Sequence, residues 1–140
     1  MALADFQPIT QTIQIKSRGG NIEVVLRGLG LNEIHQLLSS HGADMEGVFR
    51  IYEENAGPEI TVTAMGKFAM ALVKQAPGLV AHAVALSAGE PGAVDAVQKM
   101  GILDQIRLVK AVGQLTFEEV GSVKKLIAEL ADFRNSVVSN

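Results

Sequence analysis

From Thr12 to Arg27 apolar and polar side chains alternate with a period of two. Ile13 and Ile15 share one face, the run Ser17-Arg18-Gly19-Gly20-Asn21 interrupts them, and Ile22, Val24 and Leu26 resume on one face. That pattern predicts a β-hairpin over 11–27 closed by a glycine turn. A lone hairpin is marginal in water, so its apolar face needs a helix or a second copy of the chain to cover it. Its unpaired edges invite further pairing.

After Gly28-Leu29-Gly30 the period changes to that of a helix. Asn32 stands at a predicted N-cap ahead of Ile34, Leu37, Leu38 and His41, and Gly42 is the predicted stop. A second helix is predicted from Asp44 to Glu54 through Met45, Val48, Phe49 and Tyr52, ended by Asn55-Ala56-Gly57-Pro58. Thr61 or Thr63 could cap a third that runs to Gln75 with Met65, Phe68, Ala69 and Leu72 inward. Pro77 opens a fourth, apolar on nearly every side, which must lie in a core or under a partner. A turn at Gly89-Glu90-Pro91-Gly92 precedes short helices over Ala93–Met100 and Ile102–Leu115, the latter with Ile102, Ile106 and Val109 in line. Thr116 and Glu119 form a capping box for a last helix with Val120, Val123, Ile127 and Leu130 on its stripe.

These elements predict a mainly α, α+β fold. One domain spans 1–140, with the hairpin at 11–27, a compact bundle of about six short helices within 32–134, and a loose tail at 135–140. A chain of 140 residues buries roughly two-thirds of its unfolded surface, enough for a core of its own.

Composition narrows the function classes. The absence of cysteine removes disulfides and thiolate metal sites. Met1–Gln14 lacks the basic and apolar regions of a secretory signal, and the most apolar stretch, Gly78–Ala88, is about half the length of a membrane span. A cytoplasmic protein with no membrane partner is expected. Twelve basic residues against fifteen acidic ones give a net charge of −3. Lys124, Lys125 and Arg134 are interleaved with Glu118, Glu119 and Glu129, so no nucleic acid is expected as a ligand either.

The search for chemistry yields no catalytic, cofactor or metal residues. His35 and His41 are six positions apart, about 120° around a helix, and do not converge; His41 and His82 each lie on or near an apolar stripe. Gly28-Leu29-Gly30 has the start of a dinucleotide-binding turn, but Glu33 replaces the third glycine and no second parallel strand follows, so a sharp corner explains the glycines. Ser39-Ser40-His41 is a helix end whose side chains diverge, and Asp44, Glu46, Glu53 and Glu54 read as a solvated helix face. What remains is the apolar content, 48% of the residues, which fits either a filled core or association with other helical chains.

Three blocks then stand out in succession: Val24-Val25-Leu26-Arg27-Gly28-Leu29 through Leu37-Leu38 to His41-Gly42; the Pro77 helix leading to Ala88-Gly89-Glu90-Pro91; and Leu115-Thr116-Phe117-Glu118-Glu119 before Lys124-Lys125. In this order they resemble the tail assembly chaperones, or pre-tape-measure proteins, of long-tailed bacteriophages, over about Ile22 to Phe133. Met100-Gly101 departs from the family's proline-led turn at that place. The resemblance implies a non-enzymatic protein that binds the tape measure protein in the host cytoplasm, keeps it soluble, promotes tail tube assembly and is absent from the mature virion. It also implies the tail tube protein as a further partner and, in many members, a longer frameshifted product. Self-association through the hairpin or the Gly78–Ala88 helix is expected. The alternative is a structural tail or head-tail component retained in the virion.

Overall fold

The computed structural model describes residues 2–44, 47, 50, 54 and 62–116, with 62–65 described by backbone alone. Strand β1 (Thr10–Ser17) pairs antiparallel with β2 (Gly20–Arg27), in a register that sets Ile13 opposite Val24 and Ile15 opposite Ile22. Arg18 and Gly19 make the turn, and Gly20 takes φ 123°, a region that costs glycine nothing and strains any other residue. Ile13, Ile15 and Leu26 are buried on the inner face, as the alternation required, while Val24 is half-buried and Ile22, near the turn, is 45% exposed. Their cover comes from within the chain.

That cover is the helical layer. Its described elements are α1 (Leu31–Ser40), α2 (Val62–Gln75), α3 (Pro77–Ser87), a 3-10 turn (Pro91–Ala93), α4 (Val94–Gln98) and α5 (Ile102–Thr116). Helix α5 packs against both strands, and against α2 and α3. The hairpin-then-helices class predicted from periodicity is the class observed.

Helix α3 is the centre. Val80, Ala81, Ala83, Val84, Ala85, Leu86 and Ser87 are all buried, enclosed by α1, α2, α4, α5 and β2. Its apolar character on every side is therefore core, and the Gly78–Ala88 segment offers no broad face for self-association. Leu26 and Leu108 are fully buried beside Val80 and Val84; each such side chain contributes about 1.5–3 kcal/mol relative to exposure. The small alanines of α3 let its neighbours approach closely.

Several local expectations need correction. The N-cap of α1 is Gly30, not Asn32, because the Glu33 carboxylate reaches back to the Gly30 N–H at 2.9 Å and fixes the helix start there. His41, at φ −126°, terminates α1; Gly42 belongs to the helical turn that follows, where the Asp44 N–H donates to the His41 carbonyl. Thr63 is inside α2 and does not cap it. Among the described side chains of α2, Ala69 and Val73 are buried, with Phe68 and Leu72 half-buried beside them, while that of Met65 lies outside the description.

Helix α5 is rotated from the predicted stripe. Gln105, Leu108, Ala111 and Val112 face inward, while Ile102 is exposed and Ile106 and Val109 lie at the margin. Gln105 is a buried polar residue, 7% exposed. Its Nε2 donates to the Met100 carbonyl at 3.0 Å, satisfying a backbone group left by the end of α4. Thr116 is the last described residue of α5, and Glu119, its predicted capping-box partner, lies outside the described residues.

Thr61, most of the predicted second helix (Met45, Val48, Phe49, Tyr52), the remainder of the last one (Glu119, Val120, Val123, Ile127, Leu130) and the tail at 135–140 lie outside the described residues. Among the described residues no single helix is long and apolar enough to cross a membrane; α2 and α3 together have the length but are bent by 113° at their junction.

Candidate functional site

The corner where β2 turns into α1 ties four elements together. Arg27 ends β2 and forks onto Glu33 of α1 through two hydrogen bonds, Nη1 to Oε1 at 2.7 Å and Nη2 to Oε2 at 2.6 Å. The same guanidinium donates to the Gly28 carbonyl at 2.9 Å. A bidentate arginine–carboxylate pair fixes direction as well as distance. The Arg27 hydrogen bonds, more than any other influence, hold the Glu33 carboxyl below the usual carboxylate range, against the opposing effect of burial.

Backbone groups at the corner are satisfied by side chains distant in sequence. The Ser87 hydroxyl at the end of α3 donates to the Arg27 carbonyl, and the Leu29 N–H donates to Thr116 Oγ1 of α5, 3.0 Å away. Gly28 is pressed against the backbone of α5: a Cβ there would lie 2.6 Å from the Leu115 carbonyl oxygen. Gly28 is required by this close approach of two backbones, rather than by the sharpness of the turn. Glu33, which excluded a dinucleotide reading, has a structural task as the partner of Arg27 and the cap of α1.

Above this corner lies a cleft of about 490 Å³. Phe6, Pro8 and Ile9 of the N-terminal arm form one wall, residues 27–30 the other, and Leu115 and Thr116 its end. Phe6 is 74% exposed and Ile9 72%, and Leu31, just past the corner, is 80% exposed. Leu3 extends the same apolar arm. The cleft presents carbon surface, backbone, and an arginine whose charge is already matched. The described lining is mainly apolar, and its chemistry suits burial of an apolar segment of another chain.

The histidines are arranged differently from the sequence reading. His41 and His82, 41 positions apart, meet with His41 Nε2 and His82 Nδ1 separated by 3.0 Å. His35 is not part of this pair. Asp44 flanks it at 3.7 Å from His41 Nδ1. Among the described residues no group of three or more His, Asp or Glu could hold a metal ion. The residues 117–134, which carry Lys124, Lys125 and Arg134, lie outside the description.

A family model described as pre-tape measure protein matches residues 1–139. The chain belongs to the pre-tape measure protein family. No curated protein and no solved structure matches it. Membership makes it a phage tail protein of the class named for the tape measure. The three sequence blocks that resemble this family converge in space: Arg27-Gly28-Leu29 from the first meets Ser87, next to Ala88, from the second and Leu115-Thr116 from the third. For a pre-tape measure protein the corner is thus where the distinctive parts of the chain are joined. Neither its distant partners nor the His41–His82 contact could be read from local periodicity, since each joins positions more than 40 residues apart.

Proposed function

We propose that this pre-tape measure family member is a non-enzymatic tail assembly chaperone that binds the tape measure protein in the host cytoplasm, keeps it soluble and promotes assembly of tube subunits around it. The observation that carries the reading is the exposed apolar arm and cleft, Leu3, Phe6, Ile9 and Leu31 beside the corner, on a chain of this family. Large apolar side chains exposed around a cleft mark an association site. A helical client with one apolar face would bury its side chains there without nucleotide or covalent chemistry. The arm carries leucine, phenylalanine and isoleucine rather than a polar readout, which suits clients of varied sequence.

The test is co-expression of the tagged chain with the untagged tape measure protein of the same genome, followed by light scattering on the eluate. A soluble complex of defined ratio, with a tape measure that precipitates when expressed alone, is the expected result. A folded chain that retains no tape measure protein overturns it. Mass spectrometry of purified virions separates this reading, in which the protein leaves, from one in which it stays as a structural component.

A further inference from the structure

Helix α1 is the most lightly held helix of the described fold. Its apolar anchorage is a small cluster, Leu37 against Ala83 and Leu86 of α3, with Leu29 and Leu79 at the edge, separate from the main core. Its two ends are secured by polar contacts instead. The N-terminal end has the Arg27–Glu33 pair, and the C-terminal end has His41, which meets His82 of α3. The two rings stand edge-on, with centroids 5.2 Å apart.

A bond between two imidazole nitrogens needs one protonated and the other bare. His41 Nδ1, the nitrogen away from the bond, faces Asp44 at 3.7 Å. With both rings charged every ring nitrogen carries a proton, so the bond has no acceptor and two cations are set against each other. Among the described residues Asp44 is the charged group beside the pair. Helix α3 carries no other ionisable side chain, Glu33 is at the far end of α1, and the charged residues of α2, α4, α5 and β2 make no ion pair or hydrogen bond with either ring.

We propose that the His41–His82 pair is a proton-operated latch, which fastens the C-terminal end of α1 to α3 and releases it when both imidazoles are charged. Release uncovers the face of α3 formed by Leu79, Ala83 and Leu86, a second apolar surface distinct from the cleft. Burial, and secondarily the charge of His41, hold His82 below the ordinary imidazole value of 6.5. The sign follows: the contribution of the latch is complete above the unfolded value and is lost as pH falls through the lower folded one. The latch belongs to the isolated chain and requires no client.

Hydrogen exchange followed by mass spectrometry, with rates normalised to intrinsic exchange, measures the opening of α1 at about pH 7.5 and about pH 5.5. One extra proton taken up on opening raises the open population of α1 by up to about tenfold per pH unit below the unfolded value, while α3 and α5 keep their protection. The double variant His41→Gln, His82→Asn supplies an amide donor and acceptor that do not titrate, and its α1 exchange is expected to be independent of pH. His35→Gln, on the same helix but outside the pair, retains the wild-type response. Equal α1 protection at both pH values in the wild-type chain overturns the proposal, as does a pH response that survives in the double variant. Should that variant fail to fold, ¹⁵N NMR of the wild-type imidazoles decides: protonation of His82 without concurrent loss of α1 protection overturns the latch.

Discussion

Replacing Gly28 by alanine puts a methyl carbon 2.6 Å from the Leu115 carbonyl oxygen, 3.1 Å from its carbon and 3.3 Å from Thr116 Cα. These are backbone atoms of α5, so no side-chain rotation relieves the contact, and the helix or the corner must move. Overpacking of this sort costs about 1–3 kcal/mol. Displacing Thr116 also weakens the bond it accepts from the Leu29 N–H, worth about 1 kcal/mol. Against this, alanine restricts the unfolded chain and returns about 0.4–1 kcal/mol. Gly28→Ala is therefore expected to destabilise the fold by about 2 kcal/mol, or roughly 5–8 °C in Tm for a chain of this size. Gly113→Ala is the matched control: it lies inside α5 with nothing within 4 Å of a Cβ, and should stabilise by about 0.5–1 kcal/mol. Urea titrations monitored by circular dichroism at constant m-value measure both. Gly28→Ala at or above wild-type stability refutes the close approach, whatever Gly113→Ala does.

Leu37→Asp sets a charge among Ala83 and Leu86 and should cost more than about 3 kcal/mol; an unchanged Tm would show that α1 does not face α3. Because Arg27 lowers the Glu33 carboxyl, that pair adds stability above the unfolded carboxylate range and loses it as pH falls through the lower folded value. Acid titration of Glu33→Gln should thus show a shallower loss of stability than wild type, and parallel curves would contradict the assignment. Phe6→Asp, on a side chain exposed to solvent, should leave Tm within about 1 °C of wild type and reduce tape measure retention in the pull-down. Full retention would move the client surface away from the cleft.

Local periodicity carried the hairpin, its turn and the span of α3, because each is specified by neighbours two to four residues away. It failed where a distant partner decides the outcome. Gly30 displaces Asn32 as the cap since Glu33 is oriented by Arg27 as well as by the helix start. Helix α5 turns Gln105 inward since the end of α4 supplies a carbonyl for it, a fact with no local trace. The apolar arm from Leu3 to Ile9 was visible in the sequence as letters, but its exposure depends on nothing packing over it. Thr116 accepts the Leu29 N–H across 87 positions, a task that no local pattern reveals.

The bond from Leu29 to Thr116 spans 87 positions. At ribosomal rates of roughly 5–20 residues per second, the hairpin leaves synthesis about 4–17 s before the helix end that closes over it exists. Through that interval Ile13, Ile15 and Leu26 have no α5 to cover them, and two strands alone do not persist. The first segment made is thus among the last to fold. A nascent chain arrested before Thr116 would present bare strand edges and an uncovered apolar face, the state most prone to aggregate with its own copies.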